Sequence, residues 1–320
     1  MLNLSYIIIG TLPKRQEEYL RENLEKDFAK KAEKRMGECH NLEEEIFVKK
    51  LNKDLSYYRA GECLLVSGDA VELQEAARLG MAALGYLPAG PSGVVLEETS
   101  AHSQNTVQIV EEDVAQNLDV NSQTPPADMY AEGFDEVDLV FLRRVYERHH
   151  YIPWTILVTK RCIVKEFSMD YLDDLFSLYA GEGMTDYIEP LYPYEQEREY
   201  QQAYIENMYR FYGYGMWIVC ERETGKLIGR VGVECREELG GALELGYVVG
   251  VPYQRKGYAT EVCLAILDYA KMEIGAGSIC CLIETGNVVS EALAEKLGFV
   301  YSTTLALDGK RMKKYMRDLS

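Results

Sequence analysis

The sequence predicts an α/β protein of two domains, and three observations carry that expectation. Its 320 residues exceed a typical single domain and are enough for two, each with its own core. From Arg161 onward, strand-like and helix-like runs alternate. Within that region, Glu244 to Thr260 reads as a hydrophobic strand that delivers a glycine-bearing turn into a helix.

In the N-terminal half, Tyr6 to Ile9 is a short apolar strand. Asp128 to Phe134 resumes ordered strand-like sequence, and a helix follows through Tyr146. Between them, Glu97 to Pro126 is dominated by Ser, Asn, Gln, Thr and acids and lacks aromatics, the composition of a flexible insertion. Pro153 interrupts the pattern between His149 and Trp154 and places the boundary there, giving expected domains of 1–150 and 158–320.

In the second domain, strands are expected at Cys162–Phe167, Gly215–Glu221, Leu227–Cys235, Ala242–Val249 and Ser278–Ile283. Helices are expected at Asp170–Ala180 and Glu195–Phe211, with a short helix and two further strands closing the chain. Ser168-Met169-Asp170 is read as the N-terminal cap of the first of these helices, its carboxylate structural.

The turn after the strand at 242–249 has the chemistry of a pyrophosphate cradle. A helix N-terminus offers unpaired N–H groups and partial positive charge, and Gly257 lets the backbone approach an anion closely. Arg255 and Lys256 add mobile positive charge. Val262, Ile266, Leu267 and Ala270 fall at helical spacing, so the helix is expected to pack one face on a sheet. A glycine turn alone serves equally as plain structure, and composition leaves both uses open.

Gln254-Arg255-Lys256-Gly257-Tyr258-Ala259 resembles the acetyl-CoA-binding motif Gln/Arg-x-x-Gly-x-Gly/Ala of the GNAT superfamily of N-acyltransferases. Asn287-Val288-Val289-Ser290 followed by Glu295-Lys296-Leu297-Gly298-Phe299 resembles that family's second signature. The element order matches over residues 158 to 320. The resemblance implies a GNAT mixed α/β domain and direct attack of an amine on acetyl-CoA, with no acyl-enzyme. It assigns cofactor binding to Val248, Val249, Gln254, Arg255, Lys256, Gly257, Tyr258, Ala259, Thr260 and Asn287, with the Val249 amide as oxyanion contact. Asn287 serves as a pantetheine ligand or as a helix cap.

Transfer to an amine needs a base, oxyanion stabilisation and a proton for the departing thiolate. Glu244 and Glu234, at the ends of adjacent strands, are the candidate bases. Glu244 is preferred because Glu-Leu-Gly-Tyr before the cradle resembles the subset that acetylates ribosomal-protein N-termini and related acceptors. Many family members carry a tyrosine acid where this chain has Ala294, which leaves Ser290 or a bound water for that role. Acceptor choice is expected in Gly181–Tyr214, whose tyrosines and acids either form a pocket or pack as core and boundary residues.

The N-terminal domain resembles the HAD-like phosphohydrolases more weakly, which implies a Rossmann-like fold. Ile9-Gly10-Thr11-Leu12 stands where that family has its Asp-Gly-Thr-Leu nucleophile loop, but Ile7 and Ile9 replace both aspartates. Gly68-Asp69 and Glu72, ahead of Ala76-Ala77 and Gly80-Met81, resemble the late acidic motif with its first acid displaced by one position. Lys53 is one candidate for the phosphate-binding lysine. Isoleucine supplies neither nucleophile nor metal ligand, so loss of hydrolase activity is expected. Asp69 and Glu72 also read as a turn residue and a helix first-turn acid.

A net charge of −18 argues against nucleic-acid binding. No apolar run approaches the ~20 residues that span a bilayer, and no leader is read at the N-terminus, so a cytoplasmic protein without membrane association is expected. The eight cysteines show no CxxC pair and read as buried free thiols, with no metal expected. The expected protein is therefore an acetyl-CoA-dependent N-acetyltransferase acting on a small-molecule amine or a peptide N-terminus, with homo-oligomerisation open. The alternatives are a non-catalytic acyl-CoA sensor or scaffold and a bifunctional phosphatase.

Overall fold

The computed structural model describes residues 3–35, 46–51, 54–88, 124–209 and 212–320, the side chains of 31–35 excepted. Residues 97–123 of the expected insertion, and Lys53, lie outside the described residues. Contacts divide the chain into two compact units, Met1–Ile152 and Pro153–Ser320.

The first unit is built on a parallel sheet of β1 (Tyr6–Ile9), β2 (Phe47–Lys50), β3 (Cys63–Ser67), β4 (Ala82–Tyr86) and β5 (Met129–Ala131), in the order β2-β1-β3-β4-β5. Among the described residues, three helices cover it: α1 (Lys14–Arg35), α2 (Ala70–Leu79) and α3 (Leu139–His149). Strand alternation sends Ile7, Ile9, Leu64 and Val66 to one face, where Leu20 and Leu24 of α1 and Leu142 and Val145 of α3 meet them. Ile8, Cys63 and Leu65 point to the other face and pack on Leu73 and Ala76 of α2. Burial on both faces explains the unbroken apolar runs of β1 and β3. Asp69 caps α2 by accepting from the Val71 and Glu72 N–H groups at 2.9 and 3.0 Å, and Gly80 ends the helix at φ 67°.

The second unit is a mixed sheet in the order β12-β13-β11-β10-β9-β8-β7-β6. Its strands are β6 (Thr155–Val158), β7 (Cys162–Lys165), β8 (Met216–Glu221), β9 (Leu227–Arg236), β10 (Ala242–Val249), β11 (Ser278–Glu284), β12 (Val300–Leu307) and β13 (Lys310–Asp318). Its helices are α4 (Leu172–Tyr179), α5 (Tyr194–Tyr204), α6 (Tyr258–Met272) and α7 (Val288–Lys296), α5 running on into a π-helical turn at Ile205–Tyr209. Ser168 makes no cap bond through its side chain, because a 3-10 turn at Met169–Tyr171 precedes α4.

Every strand pair of this unit is antiparallel except β10 with β11, which are joined through α6. Trp217, Val231 and Tyr247 lie side by side across β8, β9 and β10, and the Trp217 ring meets Tyr269 of α6 with centroids 5.4 Å apart. The alternate residues, Arg230 with Val248 and Glu234 with Glu244, therefore face the other way, toward α4 and α5. Val262, Ile266, Leu267 and Ala270 of α6 are all buried in the core of this unit.

Candidate active site

A cavity of about 690 Å³ opens on the face of β9 and β10 that looks toward α4 and α5. Tyr179, Tyr192 and Tyr200 wall it, and Arg230, Glu234 and Glu244 line its strand side. The tyrosines of Gly181–Tyr214 divide between both uses foreseen for them: Tyr204 and Tyr209 are buried core, whereas Tyr187, Tyr192 and Tyr200 line the cavity.

The cavity continues between β10 and β11. These strands pair only at Glu244 with Cys280 and then part. The Gly250 N–H donates to the Ile228 carbonyl, which fixes the parity of the antiparallel ladder between β10 and β9. By that alternation Glu244, Gly246 and Val248 exchange bonds with β9, while the N–H groups of Tyr247 and Val249 point into the gap. Val248, Tyr247, Asn287 and Ser290 all line this continuation.

The two candidate bases lie opposite one another on adjacent strands. Glu244 is buried, and its carboxylate receives the Arg236 Nε and the Leu282 backbone N–H. Loss of water raises its pKa above the ordinary 4.5, with Arg236 opposing that shift. Glu234 is half-buried and accepts the Tyr204 hydroxyl at 2.7 Å.

The turn before α6 has the backbone form expected of it. Gly257 adopts φ 82° immediately before α6, a left-handed conformation that favours glycine, and no side chain caps the helix. The first N–H groups of α6, on Tyr258, Ala259 and Thr260, are thus left for an anion. Gln254 donates to the Val249 carbonyl at 3.0 Å and ties the cradle to the end of β10. Arg255 and Lys256 are exposed on the turn. The Tyr258 ring is committed elsewhere, its hydroxyl donating to Glu221 at 2.8 Å beneath the Arg161 guanidinium, so only its backbone faces the cradle.

Two further cations stand at the cradle, beyond the residues that the resemblance assigns to the cofactor. Arg161 donates to the Lys256 carbonyl at 2.9 Å and pairs with Glu261 of α6 at 2.7 Å. Lys296 of α7 reaches the Thr260 hydroxyl at 3.3 Å. Both are distant in sequence from what they touch.

At the gap, Asn287 caps α7 by accepting the Ser290 N–H at 3.1 Å, which leaves its amide NH₂ available. The Tyr247 hydroxyl donates to the Ser290 carbonyl at 3.2 Å. Ala294 is fully buried in the core, so the position expected to carry a tyrosine acid does not face the gap. Another phenol, that of Tyr247 from β10, lies at this gap. These groups fit a thioester cofactor: an uncapped helix start with cations for its phosphates, and a parted strand pair for its arm.

The profile of the acetyltransferase (GNAT) domain matches residues 161–300. The chain is 31% identical over 141 residues to the uncharacterized protein YkkB of Bacillus subtilis (strain 168), spanning 44% of this chain and 81% of that protein. It is 26% identical over 146 residues to the uncharacterized N-acetyltransferase YoaA of the same organism, spanning 45% and 82%. Among solved structures, a putative GNAT-family acetyltransferase from Bordetella pertussis is similar at 24% identity and a TM-score of 0.44, over 50% of this chain and 98% of that one.

The second unit is thus an acetyltransferase domain. The chain belongs to the GNAT family, which uses acetyl-CoA.

Proposed function

We propose that the protein transfers an acetyl group from acetyl-CoA to a primary amine held in the cavity between β9, β10, α4 and α5. The observation that carries this reading is the parting of β10 from β11 directly beside two carboxylates. Acetyl-CoA supplies the acyl group, activated as a thioester.

The backbone of Tyr258 to Thr260, with Arg161, Arg255, Lys256 and Lys296, holds the phosphates. Asn287 and the strand edge of Val248 and Val249 hold the arm. Glu234, oriented by Tyr204, receives the ammonium form of the acceptor, and Glu244 takes its proton. A carboxylate raised by burial suits that task better than one with an ordinary pKa. The Val249 N–H meets the oxygen on which negative charge develops. The Tyr247 hydroxyl, which burial keeps protonated, stands with Ser290 to supply the proton for the leaving sulfur.

The test is amine-dependent release of free thiol from acetyl-CoA. Release with any amine of a chemically varied panel supports the reading, and Tyr247→Phe lowers kcat by roughly 10²-fold if the phenol is the acid. No release with any amine overturns it.

For the first unit we infer a HAD-like domain without hydrolase activity. Ile7 and Ile9 are fully buried between β1, α1 and α3, so the positions of both family aspartates belong to the core. Glu72 turns inward and accepts from the Thr11 N–H and hydroxyl at 2.8 Å each and from the Ser67 hydroxyl at 2.5 Å, which satisfies its carboxylate within the protein. A cytoplasmic location is supported by the seven described cysteines, all of them free thiols.

A further inference from the structure

The cavity holds charges of both signs, and their partners are unequally distributed. Among the described residues, Glu197 bonds Gln201 and the Tyr192 N–H, Glu234 bonds Tyr204, and Glu244 bonds Arg236. Arg230 differs. It lines the cavity at 9% exposure, its Nε is buried without a hydrogen-bond partner, and no carboxylate lies within ion-pairing distance among the described residues. Tyr179 hydrogen-bonds its guanidinium and the phenols of Tyr204 and Tyr209 stand nearby, so the neighbours that reach it carry no formal negative charge.

A guanidinium shut away from water without a counter-charge is costly, and structures retain one where something else supplies the charge. The planar fork of arginine matches a carboxylate, and its position inside the cavity makes the acceptor the available source.

We propose that the acceptor bears a carboxylate as well as its amine, and that Arg230 binds this carboxylate while Glu234 and Glu244 receive the amine. The proposal rests on the acetyltransferase reading of the same cavity and narrows its substrates to amino acids and peptides with a free acid. It disfavours polyamines and other purely cationic acceptors, despite the acidity of the whole chain. Arg230 lies four residues from Glu234 along β9, so the two side chains span roughly 13 Å of strand between their backbones. An extended acceptor with its two charges at opposite ends fits that span.

The experiment measures thiol release from acetyl-CoA with a panel of L-amino acids and dipeptides, each paired with its carboxamide, and with spermidine as a purely cationic probe. The expected result is a kcat/KM at least tenfold higher for the acid of the best pair than for its amide. Arg230→Met then removes that preference through KM with little change in kcat, as for a contact made equally in ground and transition states. Arg230→Lys keeps a charge and retains part of the preference, which reads the same question if the Met variant does not fold. Amides or spermidine turned over as well as or better than the acids overturn the role of Arg230 and leave the acetyltransferase reading standing. A preference undiminished in a folded Arg230→Met variant does the same. No thiol release with any amine overturns both.

Discussion

Tyr204 donates its hydroxyl to Glu234 Oε1 at 2.7 Å and accepts the Met216 backbone N–H at 2.7 Å, so one buried phenol orients a cavity carboxylate and satisfies the start of β8. Burial and the nearby Glu234 push the phenol far above its ordinary pKa, and it remains a donor throughout the working range. Tyr204→Phe strands the Met216 N–H and is expected to cost about 1–3 kcal/mol in urea unfolding. It also raises KM for the amine more than it lowers kcat. An unchanged KM with lowered stability would remove Glu234 from acceptor binding.

Glu244 sets the acid side of the pH profile. Burial raises its pKa above 4.5, and a base works deprotonated, so kcat/KM rises with pH through that elevated value and not through the ordinary carboxylate range. Glu244→Gln is expected to abolish this limb and lower kcat/KM by roughly 10²-fold or more. A variant that keeps both rate and profile would transfer the base role to Glu234.

Glu261 stitches the cradle helix to the turn between β6 and β7. Its carboxylate meets the Thr159 hydroxyl at 2.7 Å, the Arg161 N–H at 2.8 Å and the Arg161 Nε at 2.7 Å. Burial pushes its pKa up, but these donors outweigh that effect and hold it below 4.5. A lowered folded-state pKa contributes stability that is present above the unfolded value and lost as pH falls through the folded one. Thermal melts should therefore show Glu261→Gln less stable than wild type at neutral pH, with the gap closing as pH falls below the ordinary 4.5 and through the lowered folded-state value. A gap that widens in acid would contradict this assignment.

Glu72 plays the corresponding part in the first unit. Glu72→Ala removes the acceptor of the exposed Thr11 and the closer of two acceptors of the buried Ser67, which keeps the Thr11 carbonyl at 3.4 Å, and a loss of about 1–2 kcal/mol is expected in urea unfolding. Mg²⁺-dependent phosphate release that disappears in Asp69→Asn would instead restore the hydrolase reading.

What the sequence makes legible is local. β10 has the bounds expected, Ala242–Val249, because an apolar run is closed on each side by glycine, and the cradle follows because its glycine and helix are adjacent. β6 is missed because four residues on the edge of the sheet, directly after Pro153, carry little periodicity. The change of α5 into a π-helical turn at Ile205–Tyr209 is not legible, because helical spacing does not distinguish the two, and Phe211, the expected helix end, lies outside the described residues. The site is legible where it is a turn and illegible where it is an encounter. Arg161 meets Glu261 across 100 residues, and the lack of a carboxylate partner at Arg230 among the described residues is defined by what fails to reach it.

The central claim is that Gly257 and the start of α6 form an acetyl-CoA site, and calorimetric titration of wild type and Gly257→Glu with acetyl-CoA tests it most directly. At φ 82° a non-glycine residue costs about 1–2 kcal/mol, so the melting temperature of the variant is measured alongside to show that it is folded. The account predicts saturable binding by the wild-type protein and its loss in the folded variant, whose added carboxylate repels the phosphates. A folded wild-type protein that binds no acetyl-CoA, or a variant that binds it equally well, would contradict the account.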